Sequence, residues 1–83
     1  MRSGRVIFAS RNLAMLVVQH AQGFTVVEML GDEGRIVVGD AVYGDWLAVA
    51  GEPIRHDDET YDAYFQGCWP NPDAAIRIAR GDR

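Results

Sequence analysis

Ala14-Met15-Leu16-Val17-Val18-Gln19-His20-Ala21-Gln22-Gly23-Phe24-Thr25-Val26-Val27-Glu28-Met29-Leu30, residues 14–30, is the stretch on which the fold turns. Residues 14–20 place apolar Leu16, Val17 and Val18 on successive faces of an extended chain, the pattern of a strand covered on both sides. Ala21-Gln22-Gly23 is short and ends in a residue free to take a positive φ, which suits a tight reversal. Residues 24–30 then set Phe24, Val26 and Glu28 on one face and Thr25, Val27 and Met29 on the other. Two β-rich runs joined by such a reversal predict a hairpin.

The flanking segments extend the β reading. Gly4–Ser10, with Val6, Ile7 and Phe8, is a strand entering the hairpin through an Arg11-Asn12-Leu13 turn or bulge. Gly31-Asp32-Glu33-Gly34 is a polar turn, and Arg35–Val38 is a short strand or an extended approach to the Gly39-Asp40 turn. Ala41–Val49 reads as a strand with Val42, Gly44 and Trp46 on one face, and Gly44 marks the bend of a tightly curved barrel. Gly51-Glu52-Pro53 reads as a reversal, Ile54–His56 and Tyr61–Gln66 as a hairpin, and Gly67–Pro72 as an irregular segment anchored by Trp69. In Ala74–Ala79 the spacing of Ile76 and Ile78 fits a terminal strand better than a helix, although Asp73 offers a helix cap. Five or six strands predict an all-β fold: a small, five-stranded barrel with an additional C-terminal strand or short helix.

The chain has 83 residues, 48% of them hydrophobic, and a net charge of −4. That length supports one core, so residues 1–83 form a single domain with loose ends at 1–3 and 81–83. The longest strongly apolar run, Ala14–Val18, is far short of the ~20 residues of a membrane helix. With no export signal and with Cys68 as the only cysteine, the expected setting is cytoplasmic. Every basic residue is an arginine. Arg2, Arg5 and Arg11 dominate residues 1–30, whereas residues 32–62 are acidic apart from Arg35 and Arg55.

Gly4-Arg5-Val6-Ile7-Phe8, Ala14-Met15-Leu16-Val17-Val18 and Val38-Gly39-Asp40-Ala41-Val42-Tyr43-Gly44 resemble three strands of the oligonucleotide/oligosaccharide-binding (OB) barrel in its ribosomal or cold-shock-like form. The resemblance covers about the first half of the chain and implies an OB-like fold. In the cold-shock-like pattern the second strand presents stacking aromatics. Met15 and Val17 stand at those positions here.

The candidate functions are therefore binding functions. A surface for single-stranded RNA or DNA needs cations for phosphates and rings for bases, and Arg5, Phe8, Arg11, Arg35 and Tyr43 are the residues assigned to it. The alternative is a protein-interaction or homodimeric module anchored by Tyr64, Phe65 and Trp69, residue types that bury much area with little lost freedom. No enzyme is expected. A Ser10–His20 or Cys68–His56 pairing lacks a supporting motif, and the absence of lysine excludes Schiff-base chemistry through that residue. No cofactor or metal is expected either: His20, His56 and Cys68 lack zinc-knuckle spacing, and Asp57–Glu59 lacks the alternation of a calcium loop.

Overall fold

The computed structural model describes residues 1–31 and 36–81. Six strands, β1 (Arg2–Ser10), β2 (Met15–His20), β3 (Gly23–Met29), β4 (Ala41–Gly44), β5 (Ala50–His56) and β6 (Glu59–Trp69), precede one helix, α1 (Pro72–Ala79). The strands form a closed antiparallel barrel in the order β1-β2-β3-β6-β5-β4, with β4 returning to β1. The expected small β-barrel is thus present, with six strands in place of the five expected. Gly51-Glu52-Pro53 belongs to β5 and is not a reversal; the chain turns earlier, where Ala48 N donates to Asp45 O at 3.0 Å. The polar turn expected at residues 31–34 and the start of the segment from Arg35 lie outside the described residues apart from Gly31.

The hairpin of residues 14–30 is present, with Leu16 opposite Val27 and Val17 opposite Val26. Both of its faces are covered, as the apolar run in β2 demands. Leu16, Val18, Val27 and Met29 enter the barrel interior with Val6, Val42, Ile54, Ala63 and Phe65. Val17 and Val26 point outward, where α1 lays Ala75 and Ala79 over them. Each aliphatic side chain so buried is worth about 1.5–3 kcal/mol.

Residues 72–79 form a helix and not the favoured strand. Asn71 caps it, its Oδ1 accepting from Ala74 N at 2.8 Å, and Pro72 stands at the first turn. Both are standard helix-start devices. The alternation of Ile76 and Ile78 misleads because only Ile76 packs against the barrel; Ile78 is exposed.

Two bulges decide which side chains α1 covers. In β1 the register shifts between Val6 and Phe8, so Ile7 and Phe8 both join the cluster beneath the helix. In β6, Val27 faces Phe65 while Val26 faces Gly67, leaving Gln66 as the extra residue. A one-residue slip exchanges the two faces of a strand. Phe65 therefore points inward, whereas Trp69 lies outside, over Gly67, where a Cβ would stand 3.1 Å from the ring.

Candidate binding surface

One end of the barrel is closed by Trp46, which is 2% exposed and stacks on Phe65 at 5.6 Å and on His20 at 6.0 Å. Its Nε1 donates to Arg2 O at 2.8 Å, and its carbonyl accepts from the buried Thr25 hydroxyl at 2.7 Å. Since that hydroxyl donates to Trp46, it accepts from His20 Nε2, which lies 2.7 Å away. His20 Nδ1 in turn receives the Gln22 backbone N–H at 3.2 Å. The network assigns the neutral Nε2–H tautomer and uses both ring nitrogens. Cys68 Sγ sits 3.6 Å from Nε2 and 3.9 Å from Gln22 O. The cysteine thus lies beside His20, whereas His56 pairs with Asp40 at 3.0 Å. Among the described residues no three His, Cys, Asp or Glu side chains gather as metal ligands.

Burial pushes the His20 imidazole below its ordinary proton affinity, outweighing an opposing side-chain hydrogen-bond effect of Gln22. The unfolded chain therefore takes up a proton at higher pH than the folded one. The stability held by neutral His20 is complete above the unfolded value of about 6.5 and declines as pH falls from there toward the lower folded value. Thermal melts from pH 7.5 to pH 5 should show a falling Tm, and His20→Gln should flatten that slope. An unchanged slope in the variant would remove His20 from the titration.

The barrel has two unlike walls. Strands β2 and β3 turn their outer face to α1. The wall formed by β4, β5 and the first part of β6 carries no helix, since α1 meets β6 only toward its end near Trp69. On it Tyr43, 41% exposed, lies between Ser3 of β1 and Arg55 of β5. Arg5 is two residues along β1 from Ser3, with its guanidinium donating to Gly39 O at 3.0 Å. Farther along, Tyr64 is 43% exposed and faces Gly51. Beside it, Leu30, Gly51, Glu52, Pro53, Asp62 and Ala63 line a shallow groove.

Of the residues assigned to nucleic acid, Arg5 and Tyr43 share this neighbourhood. Phe8 is half-buried beneath α1, because the β1 bulge turns it there, and Arg11 is exposed in the β1–β2 turn at the opposite end of β1. Arg35 lies outside the described residues. Of the residues assigned to a protein interface, Tyr64 is exposed on the helix-free wall. Phe65 is 0% exposed and belongs to the barrel core, since its pleat position opposes that of Tyr64. Trp69 is half-buried in the cluster under α1.

Sequence reasoning missed Arg55, Pro53, Gly51 and Leu30 as surface partners of the two tyrosines. The available signal was the run from Ala50 to His56, whose β character was obscured by reading its glycine and proline as a turn. Proline is compatible with a strand that lacks a full partner on one side, and β5 meets β4 only at Tyr43 opposite Arg55. Just beyond that position His56 and Asp40 bridge the same seam, and Asp40 also accepts from Val37 N at 3.0 Å.

Comparison with protein-family models, with curated proteins and with solved structures gives no match for this chain. None of its described helices is long and apolar enough to cross a membrane.

Proposed function

We propose that the protein is a non-catalytic binding module whose partner is another polypeptide, engaged by the helix-free wall around Tyr64 and Tyr43. The supporting observation is the unequal treatment of the two walls: α1 covers the apolar outer residues of β2 and β3, while two tyrosines on β4 and β6 stay about two-fifths exposed. Tyrosine and arginine are energetic anchors of protein interfaces, and Arg55 lies directly beside Tyr43. The carboxylates Glu52 and Asp62 in the groove, and Asp57 and Asp58 beside Tyr43, disfavour a polyanion there. Affinity purification from the native host should recover a partner in stoichiometric yield with the wild type. The yield should fall at least ~10-fold for a folded Tyr43→Ala/Tyr64→Ala variant, as expected when interface anchors are truncated. Equal recovery by the two proteins would overturn the reading.

A second reading, single-stranded nucleic acid, draws on the juxtaposition of Arg5, Tyr43 and Arg55. Saturable binding of short RNA or DNA that weakens with salt and is lost in Arg5→Ala/Arg55→Ala would favour it. Absence of binding at low salt would remove it.

A further inference from the structure

We propose that the groove beside Tyr64 receives the α1 end of a second copy of this chain in a head-to-tail contact. The inference rests on the protein-binding reading and names its partner.

Gly51 is the first observation. Glycine inside a strand costs roughly 0.5–1 kcal/mol relative to alanine and is otherwise explained by a bulge, a bend or the close approach of another group. The pairing of β5 with β6 runs without a register shift through Gly51, its φ is not positive, and a Cβ there would meet nothing within 4 Å. The barrel itself makes no demand for glycine at this point. Its effect is to leave the groove bare at Gly51, beside Leu30 and Pro53, so that an incoming side chain can reach the backbone of β5.

Charge is the second. Among the described residues, Glu52 and Asp62 line the groove and no arginine does. An occupant that matches must bring an apolar side chain beside a cation. The chain carries such a surface itself: on α1, Ile78 is 37% exposed next to exposed Arg77. Leu13, also exposed, extends this apolar surface, its Cδ1 lying 3.7 Å from the place of a Gly81 Cβ. The only described acidic residue of α1, Asp73, is in the first turn, at the other end of the helix.

Groove and helix end lie on different walls, so the contact is heterologous and each copy offers one donor and one acceptor face. A groove of six lining residues and one helix end make a small contact beside the ~800 Å² per partner of a stable complex, so association is weak and favoured by low salt.

Sedimentation velocity on the full chain tests this. Mass should rise between ~10 µM and ~1 mM, affinities typical of weak contacts, and should fall back in high salt, where screening shortens to a few Å. Gly51→Val, which fills the groove without changing charge, and Arg77→Glu/Ile78→Glu should each remain monomeric while retaining the wild-type circular dichroism. An equimolar mixture of the two should form dimers and nothing larger, because only one complementary pair of faces survives. A wild type that stays monomeric throughout, variants that assemble like the wild type, or a mixture that fails to dimerise would each overturn the proposal. A monomeric wild type that still recovers a partner through Tyr43 and Tyr64 overturns the second-copy assignment alone.

Discussion

Trp46→Ala should destabilise the protein by about 3–5 kcal/mol, the range for removing a large aromatic from a packed core. That is a substantial part of the ~5–15 kcal/mol that holds a domain together, and for a chain of this size it corresponds to a Tm loss of at least ~12 °C. The loss has identifiable sources. The ring closes the barrel end, stacks on Phe65 and His20, and donates to Arg2 O. Two glycines make room for it: a Cβ at Gly44 would come within 3.0 Å of the indole, and one at Gly4 within 3.2 Å of the indole and 2.5 Å of Val18 Cγ1. Trp46→Phe retains an aromatic ring and loses the Nε1 donor, so it should cost less, about 1–3 kcal/mol for the carbonyl left without its partner. Urea denaturation of the three proteins checks the order. Trp46→Ala within about 1 kcal/mol of the wild type would show that the plug is dispensable.

Ala75→Asp should release α1 from the barrel. Ala75 is fully buried over Val17 and Val26, so the carboxylate would be desolvated in an apolar contact at a cost of about 3 kcal/mol or more. The helix has eight residues, too few to persist by itself in water. Detachment should therefore remove the helical circular dichroism and shift Trp69 emission to the red. Val17, Val26 and Phe24 would be uncovered, which should raise binding of hydrophobic dyes and promote aggregation. The six-stranded barrel has its own interior cluster, and amides of β2 and β3 should stay protected from exchange in the variant. The deficit should narrow near pH 4, where the introduced carboxyl accepts a proton. Wild-type emission and melting temperature would contradict the packing of α1 on this wall.

These effects meet at function. The helix buries a wall whose outer residues are apolar, and the surface left uncovered is the acidic, tyrosine-bearing wall of β4, β5 and the first part of β6. Releasing α1 would expose a second, adventitious adhesive surface. Changing Gly51 would instead alter the proposed contact with little effect on the core. The two classes of variant separate stability from recognition.

Much of the barrel was legible because strand alternation is a local property. Leu16-Val17-Val18 specified a strand with two covered faces, Gly23 the reversal, and Val42 and Gly44 an inward face; the strand expected over Ala41–Val49 ends at Gly44, and Trp46 is buried from the turn that follows it. The candidate site was legible only in Arg5, Tyr43 and Tyr64, whose exposure follows from their pleat positions. Phe8 and Trp69 were placed on surfaces because a bulge cannot be recognised from the strand that contains it: it is defined by the partner strand's register. Phe65 was grouped with Tyr64 by proximity in sequence, although neighbours in a strand face opposite ways.

The residues 14–30 by themselves determined the hairpin and its need for cover on both faces. Only the tertiary structure decided what supplies that cover: the barrel interior on one side, and on the other a C-terminal helix whose short sequence also fitted a strand. Alternation is set by the pleat of each strand, whereas closure, bulge register and the seat of α1 depend on pairings between residues as far apart as Val17 and Ala75. Those long-range contacts left one wall buried and the other free.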